Sequence, residues 1–342
     1  MENVALLLIV LSNQGYWFGG QPERVEIQWV IKEPLPDAVF CWNLMSGPVR
    51  VAEDKLVIRS GERPSILTIQ TPEVRARTRM TLVYRLERQN DGRILTSGKS
   101  TIHLFPNDIF KELPSRLVKM KIMVLDKTGE LKKFLEEKKI QFKPVLRISD
   151  LELSRSDLVL IAKDEIEKPS SFASNVLVDL AEQGSGVLIF RQTRCETLAG
   201  YPIIRRDIPR RFDWKADHPL LARFEPEDLT SWFYGNDGVQ WAISLPADEA
   251  ALEIVWWPRI LPGTGPVPID ALVVSRCSDE GQLVLCQLPL GDWQSDPRSQ
   301  LFLAGALDYL LLKPEPTPRP NDRVKTKEKT NKTRKSLSVM GE

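Results

Sequence analysis

Cys195 holds the position with the most chemical promise. It follows the apolar run Val187-Leu188-Ile189-Phe190 by five residues, where an α/β fold can present a nucleophile. A cysteine nucleophile needs a sharp glycine-flanked elbow, an adjacent base, and amides aimed at the developing oxyanion. Here the run continues Arg191-Gln192-Thr193-Arg194-Cys195, the next glycine is Gly200, and no H-x-E motif follows. The chain has two histidines, His103 and His218, so a Cys–His or Ser–His pair has few ways to form. Catalysis at Cys195 is therefore not expected.

His218 precedes a proline and is followed by Glu225, Glu227 and Asp228. A metal or acid–base site is one reading of that grouping. The preferred reading is a turn or helix-start residue whose ring bonds locally. Asp213, Asp217, Glu225, Glu227 and Asp228 could supply a glycosidase pair, whose carboxyl separation sequence does not reveal. Solvated loops and caps are the preferred reading. His103 alternates with Ile102 and Leu104 on a strand, which predicts a solvent-facing ring.

Nine tryptophans raise the question of a sugar surface, because indole faces stack on pyranose rings. Trp232, Trp241 and Trp293 fall near predicted loops. Trp256 and Trp257 are adjacent on a strand, so one is expected to point outward. These five are the candidate glycan contacts, set against core packing, where most tryptophan surface goes.

The remaining chemistry is mostly excluded. Cys41, Cys195, Cys277 and Cys286 are scattered without C-x-x-C, and two histidines do not complete the usual zinc spacings, so no metal is expected. Cys41 and Cys286 sit in apolar runs as small hydrophobes. Gly263-Thr-Gly265-Pro-Val-Pro opens no helix and loses amide donors to proline, so no nucleotide or other cofactor is expected. A net charge of +1 with 27% charged residues argues against nucleic acid or membrane as a partner. The tail from Lys313 has nine Lys/Arg against four Asp/Glu, leaving the rest mildly acidic. The apolar start, residues 4–11, is too short to span a bilayer and lacks a basic leader. It reads as a buried strand beginning abruptly, as if cut from something longer. A cytoplasmic location is favoured, with export the minority reading.

The elements that must position these residues change period along the chain. Val25, Ile27, Trp29 and then Met80, Leu82, Tyr84, Leu86 alternate with polar residues, the mark of half-buried strands. Asn90-Asp91-Gly92 predicts a hairpin between 81–88 and 94–105. About seven short strands over 1–106 suggest an immunoglobulin-like β-sandwich without the antibody Cys…Trp…Cys spacing. Residues 107–117 read as a linker. Over 118–312, strands at 121–126, 157–162 and 186–190 alternate with helices, giving a parallel α/β sheet. Thr128 is expected to cap the first helix, with Leu131, Phe134 and Leu135 inward. Ser170 or Ser171 caps the second, with Phe172, Val176 and Leu180 inward. Strands follow at 253–257, 271–276 and 282–287. Asp296 caps and Pro297 opens a final apolar helix. Residues 313–342 read as a disordered basic tail.

This order of segments resembles the C-terminal region of bacterial family 2 glycoside hydrolase-like (beta-galactosidase-like) proteins. The resemblance is carried by Asn13-Gln-Gly-Tyr-Trp-Phe-Gly-Gly20, Ala181-Glu-Gln-Gly-Ser-Gly-Val-Leu-Ile-Phe190, His218-Pro-Leu-Leu221 with Glu227-Asp-Leu-Thr-Ser-Trp232, and Gly281-Gln-Leu-Val-Leu-Cys-Gln287 before Ser295-Asp-Pro297. It implies an immunoglobulin-like sandwich followed by a flavodoxin-like, class I glutamine amidotransferase-like domain. Such enzymes hydrolyse glycosides with two glutamates on a TIM barrel, for which this chain has no room, so no catalytic residue carries over. The expectation is a non-catalytic accessory module with a carbohydrate context. Its partner would be a catalytic glycosidase chain, a second copy of itself, or a glycan. The alternative is a hydrolase, either a glycosidase using carboxylates of the 213–228 segment or an amidohydrolase-like enzyme with Cys195; the candidate catalytic residues are then Cys195, His218 and Glu227.

Overall fold

The computed structural model describes residues 7–29, 35–152, 155–167, 171–206, 213–234, 241–257, 268–278, 280–290 and 292–312. The 258–267 loop with its Gly-Thr-Gly motif, Ser170, Asp279 and the tail from 313 lie outside the described residues. The chain is mixed α/β, with many strands and few helices.

The first eight strands are β1 (Leu7–Leu11), β2 (Tyr16–Phe18), β3 (Pro22–Trp29), β4 (Ala38–Ser46), β5 (Val49–Ile58), β6 (Ile66–Gln70), β7 (Thr78–Arg88) and β8 (Ile94–Phe105). They form a three-stranded sheet, β1-β3-β6, and a five-stranded sheet, β2-β8-β7-β4-β5. The alternating residues Val25, Ile27, Met80, Leu82, Tyr84 and Leu86 are buried in one core shared by both sheets. Gly92, at φ 67°, makes the turn between β7 and β8, as its left-handed backbone requires.

The rest of the chain builds one large sheet. Its strands and helices are α1 (Leu113–Leu117), β9 (Ile122–Leu125), α2 (Glu130–Glu137), β10 (Lys143–Val145), α3 (Ser149–Glu152), β11 (Leu158–Ile161), α4 (Ser171–Glu182), β12 (Gly186–Ile189), β13 (Thr197–Leu198), β14 (Tyr201–Arg205), β15 (Asp213–Trp214), α5 (Pro226–Tyr234), β16 (Trp241–Leu245), β17 (Glu253–Trp257), β18 (Ile269–Cys277), β19 (Gln282–Cys286) and α6 (Pro297–Leu310). Strands β10-β9-β11-β12-β19 run parallel, and β18, β16 and β14 extend the sheet antiparallel. Every side chain of β9, β11 and β12 is buried, because helices cover both faces. Ile122, Val124, Leu160, Leu188 and Val284 face α2 and α6, whereas Met123, Leu125, Ile161, Ile189 and Leu285 face α4.

Three local expectations are corrected. Asp126, not Thr128, caps α2: its carboxylate accepts from the Gly129 amide at 3.0 Å, the Lys132 amide at 2.9 Å and the Thr128 hydroxyl at 2.9 Å. Phe172 is 54% exposed, since the buried stripe of α4 runs through Ala173, Val176, Leu177 and Leu180 and leaves it beside the stripe. His103 is buried, because its side of β8 is covered by β2 and by the large-sheet half. The final helix is as expected, with the Asp296 carboxylate accepting from the Arg298 amide at 2.9 Å and Pro297 in the first turn.

Candidate functional site

In open α/β sheets, ligands bind beyond the carboxyl ends of the parallel strands. In this chain that edge is stitched closed by its own side chains. Gln192, two residues past the buried Phe190, has no exposure. Its amide nitrogen donates to the Ala162 and Phe190 carbonyls, each at 2.7 Å, and its Oε1 accepts from the Ile166 amide at 2.9 Å. The Gln192 backbone amide donates in turn to Oε1 of Gln287, at the end of β19, at 3.3 Å. Asp164, held at φ 58°, accepts from the Thr193 amide at 2.6 Å and its hydroxyl at 2.8 Å. Glu165, 5% exposed, accepts from the Lys127 amide. The exits of β9, β11, β12 and β19 are thus tied to one another. Trp293 seals them from the helix side, its ring edge-on to Phe190 with centroids 5.2 Å apart.

Cys195 lies past this stitch at 3% exposure, in the cluster with Leu198, Ala199 and Tyr201 on the α4 face. His218 lies on the opposite face. It caps a short 3-10 turn, its Nδ1 accepting from the Leu220 amide at 3.3 Å, and its ring meets Tyr309 of α6 with centroids 4.9 Å apart. Burial, reinforced by Lys215, pushes its pKa down to about 4, so the ring is neutral at pH 7. The local hydrogen-bonded turn role read from sequence is the one the geometry displays. The central sheet separates Cys195 from His218, and the structure does not bring Cys195, His218 and Glu227 together.

The other candidates have structural surroundings. Glu227 is exposed in the first turn of α5, and its carbonyl accepts from the Tyr16 hydroxyl at 3.2 Å. Trp257 is 4% and Trp293 7% exposed. Trp241 and Trp256 are half-buried and pack against the α4-side core. The Trp232 side chain lies outside the described residues. Cavities along α2 and β10, between the two halves at Arg77 and Leu301, and at the start of β12 are not lined by Cys195, His218 or Glu227.

Sequence reasoning named Asp228, Glu225 and His103 but missed Arg77, the group that joins them across the two halves. Arg77, before β7, makes two hydrogen bonds to the fully buried Asp228 of α5, at 2.6 and 2.7 Å, and approaches Glu225 at 3.1 Å. It also meets Nδ1 of His103 at 3.3 Å. His103 stacks on Tyr16 with centroids 4.7 Å apart and planes at 9°. Burial, then the Arg77 charge, pushes its pKa down to about 4. On the far side of Tyr16 sits the Arg298 guanidinium, 4.4 Å from the ring centroid, held by Asp296 and reaching Gln14 at 3.3 Å. On the Arg298 side the sequence signal was Asp296-Pro297, read as a cap alone.

No known protein-family profile matches the chain, and no curated protein matches it. Among solved structures, a Paenibacillus sp. cycloisomaltooligosaccharide glucanotransferase complexed with cycloisomaltoheptaose overlaps it at 10% identity and TM-score 0.24. An FMN-binding beta-glucuronidase from Facaelibacterium prausnitzii L2-6 overlaps at 11% identity and TM-score 0.22. Each overlap covers 54% of this chain, which spans 27% of the other. At such TM-scores the overlaps decide neither fold family nor activity.

The burial pattern yields a chemical expectation. Cys41, Cys195 and Cys286 are buried, Cys277 is half-buried, and no disulfide links them. Titration of the folded chain with an aromatic disulfide reagent should modify Cys277 alone, and all four thiols should react in urea. Fast labelling that persists in Cys277→Ser and disappears in Cys195→Ala would mark Cys195 as an accessible thiolate instead.

Proposed function

We propose that this chain is a non-catalytic accessory module of a carbohydrate-active, family 2 glycoside hydrolase-like system. It acts by packing on a catalytic glycosidase chain, by self-association, or by weak glycan contact. On this reading 1–106 is an immunoglobulin-like sandwich, 107–117 a linker, 118–312 a flavodoxin-like, class I glutamine amidotransferase-like domain, and 313–342 a basic tail. The strand order β10-β9-β11-β12-β19, which is second-first-third-fourth-fifth in chain order, supports the flavodoxin-like assignment. The carbohydrate context rests on the order of the sequence segments.

One observation carries the non-catalytic part. The strand ends that would hold a reaction centre are occupied by Gln192 and Gln287, and Cys195 is across the sheet from His218. A Cys–His mechanism needs those groups within hydrogen-bond reach. The test is turnover of chromogenic glycosides and of glutamine by the purified chain, beside Cys195→Ala and Glu227→Gln. No turnover above blank is expected from any of the three. Turnover by the parent chain that either substitution abolishes would replace this reading with a hydrolase. Glycan-array retention and co-purification with a glycosidase chain test the association arms.

A further inference from the structure

We propose that the outer edge of β5 takes the β5 of a second copy of this chain, in an antiparallel register centred on Asp54. The inference rests on the self-association arm of the reading above and names its surface. β5 ends the five-stranded sheet, and among the described residues no strand pairs its far side. Ala52 and Leu56 lean on the core, while Glu53, Lys55 and Val57 alternate with them and are exposed. The Lys55 amide donates to its neighbour Asp54 at 2.7 Å rather than to β4. Main-chain direction alternates in an antiparallel ladder, so Glu53, Lys55 and Val57 turn their N–H and C=O groups outward. Such a row is a template for another strand.

A twofold axis restricts how β5 can meet itself, because outward residues must oppose outward residues. An axis at Glu53 sets glutamate against glutamate. An axis at Lys55 sets lysine against lysine. An axis at Asp54 sets Glu53 against Lys55 of the other copy, a pair that occurs twice, and the strand is regular over Ala52–Ile58 on both sides of that axis, the bulge at Val51 lying beyond it. Val57, in the same outward row, is 59% exposed, so this register also covers apolar surface that a lone chain leaves in water. Forming it replaces the Asp54 carboxylate on the Lys55 amide with a carbonyl of the partner strand. The one unfavourable pair is Asp54 against Asp54 on the axis. Arg50, which meets Glu53 within one chain at 2.6 Å, is exposed, and that pair is weak competition.

Sedimentation equilibrium of the full chain over a wide concentration series tests this. The parent chain is expected to show a concentration-dependent dimer. Glu53→Lys and Lys55→Glu should each raise its dissociation constant about tenfold, because each puts like charges opposite one another twice per dimer. The double charge swap should return it near the parent value, and Asp54→Asn should tighten it. All three positions are exposed, and circular dichroism reports whether the variants stay folded. A monomer at every concentration, a dimer indifferent to single reversals, or a double swap that fails to restore pairing would each overturn the proposal. A monomer that still co-purifies with a glycosidase chain would end the self-association arm alone.

Discussion

Arg77→Ala is expected to lower the stability of the folded chain by about 3–5 kcal/mol, the usual cost of removing one partner of a buried ion pair. The substitution leaves the Asp228 carboxylate at zero exposure with its counter-charge gone. It also removes the guanidinium that packs over Phe105, 5.2 Å from the ring centroid, and bonds His103 at the junction of the two halves. Urea unfolding at neutral pH measures the loss. The double variant Arg77→Met with Asp228→Leu should recover most of it, since no charge is then left buried. The pH dependence has a definite sign. Burial raises the Asp228 pKa above its ordinary value, and the Glu225 amide and Arg77 oppose that rise. Without Arg77 the folded pKa climbs further. A raised folded pKa favours the fold below the unfolded value, and that advantage is lost as pH rises through the folded value. The gap between variant and parent should therefore be widest at neutral pH and narrow on acidification. A variant as stable as the parent at pH 7 would mean that the pair does not hold the halves together.

Gln192→Leu is expected to cost about 3 kcal/mol or more, at about 1–3 kcal/mol for each of three orphaned buried groups. Leucine is close in size, so packing changes little. The Ala162 and Phe190 carbonyls and the Ile166 amide would all lose their partner. Urea unfolding checks the total, and hydrogen exchange at the Ile166 amide checks the cause, because its protection should fall ahead of the strand amides. Gln192→Glu separates the contributions. It keeps an acceptor for Ile166 and turns a carboxylate oxygen toward two carbonyls, so it should be at least as damaging at neutral pH. Full stability in Gln192→Leu would show that the strand ends do not depend on this stitch and would reopen that edge as a site.

Both predictions concern residues whose importance was invisible one position at a time. Glutamine two residues past a strand reads as a loop residue; beside the Phe190 carbonyl of its own strand exit, only the neighbouring exits supply the Ala162 carbonyl and Ile166 amide after β11 and Gln287 after β19. The period of two at His103 placed it correctly on the outer side of β8. It carried no information about what covers that side, and the arrival of Tyr16 and Arg77 turned a surface imidazole into a buried neutral one. Thr128 was a sound cap by residue type, but Asp126 has two acceptor oxygens and reaches three donors.

What the chain determines by itself is local and periodic. Continuous apolar runs at 122–125, 158–161 and 186–189 require strands covered on both faces, the alternation in β3 and β7 requires half-buried ones, and Asp296-Pro297 requires a helix start. These follow from backbone geometry and the removal of apolar surface from water, which act within a few residues. The tertiary structure alone decided which chemical groups meet. Cys195 and His218 are 23 positions apart in the chain and lie on opposite faces of one sheet, while Arg77 and Asp228, 151 positions apart, share two hydrogen bonds. A side chain's face depends on its own strand, whereas its partners depend on how distant strands and helices stack, and no spacing in the sequence encodes that.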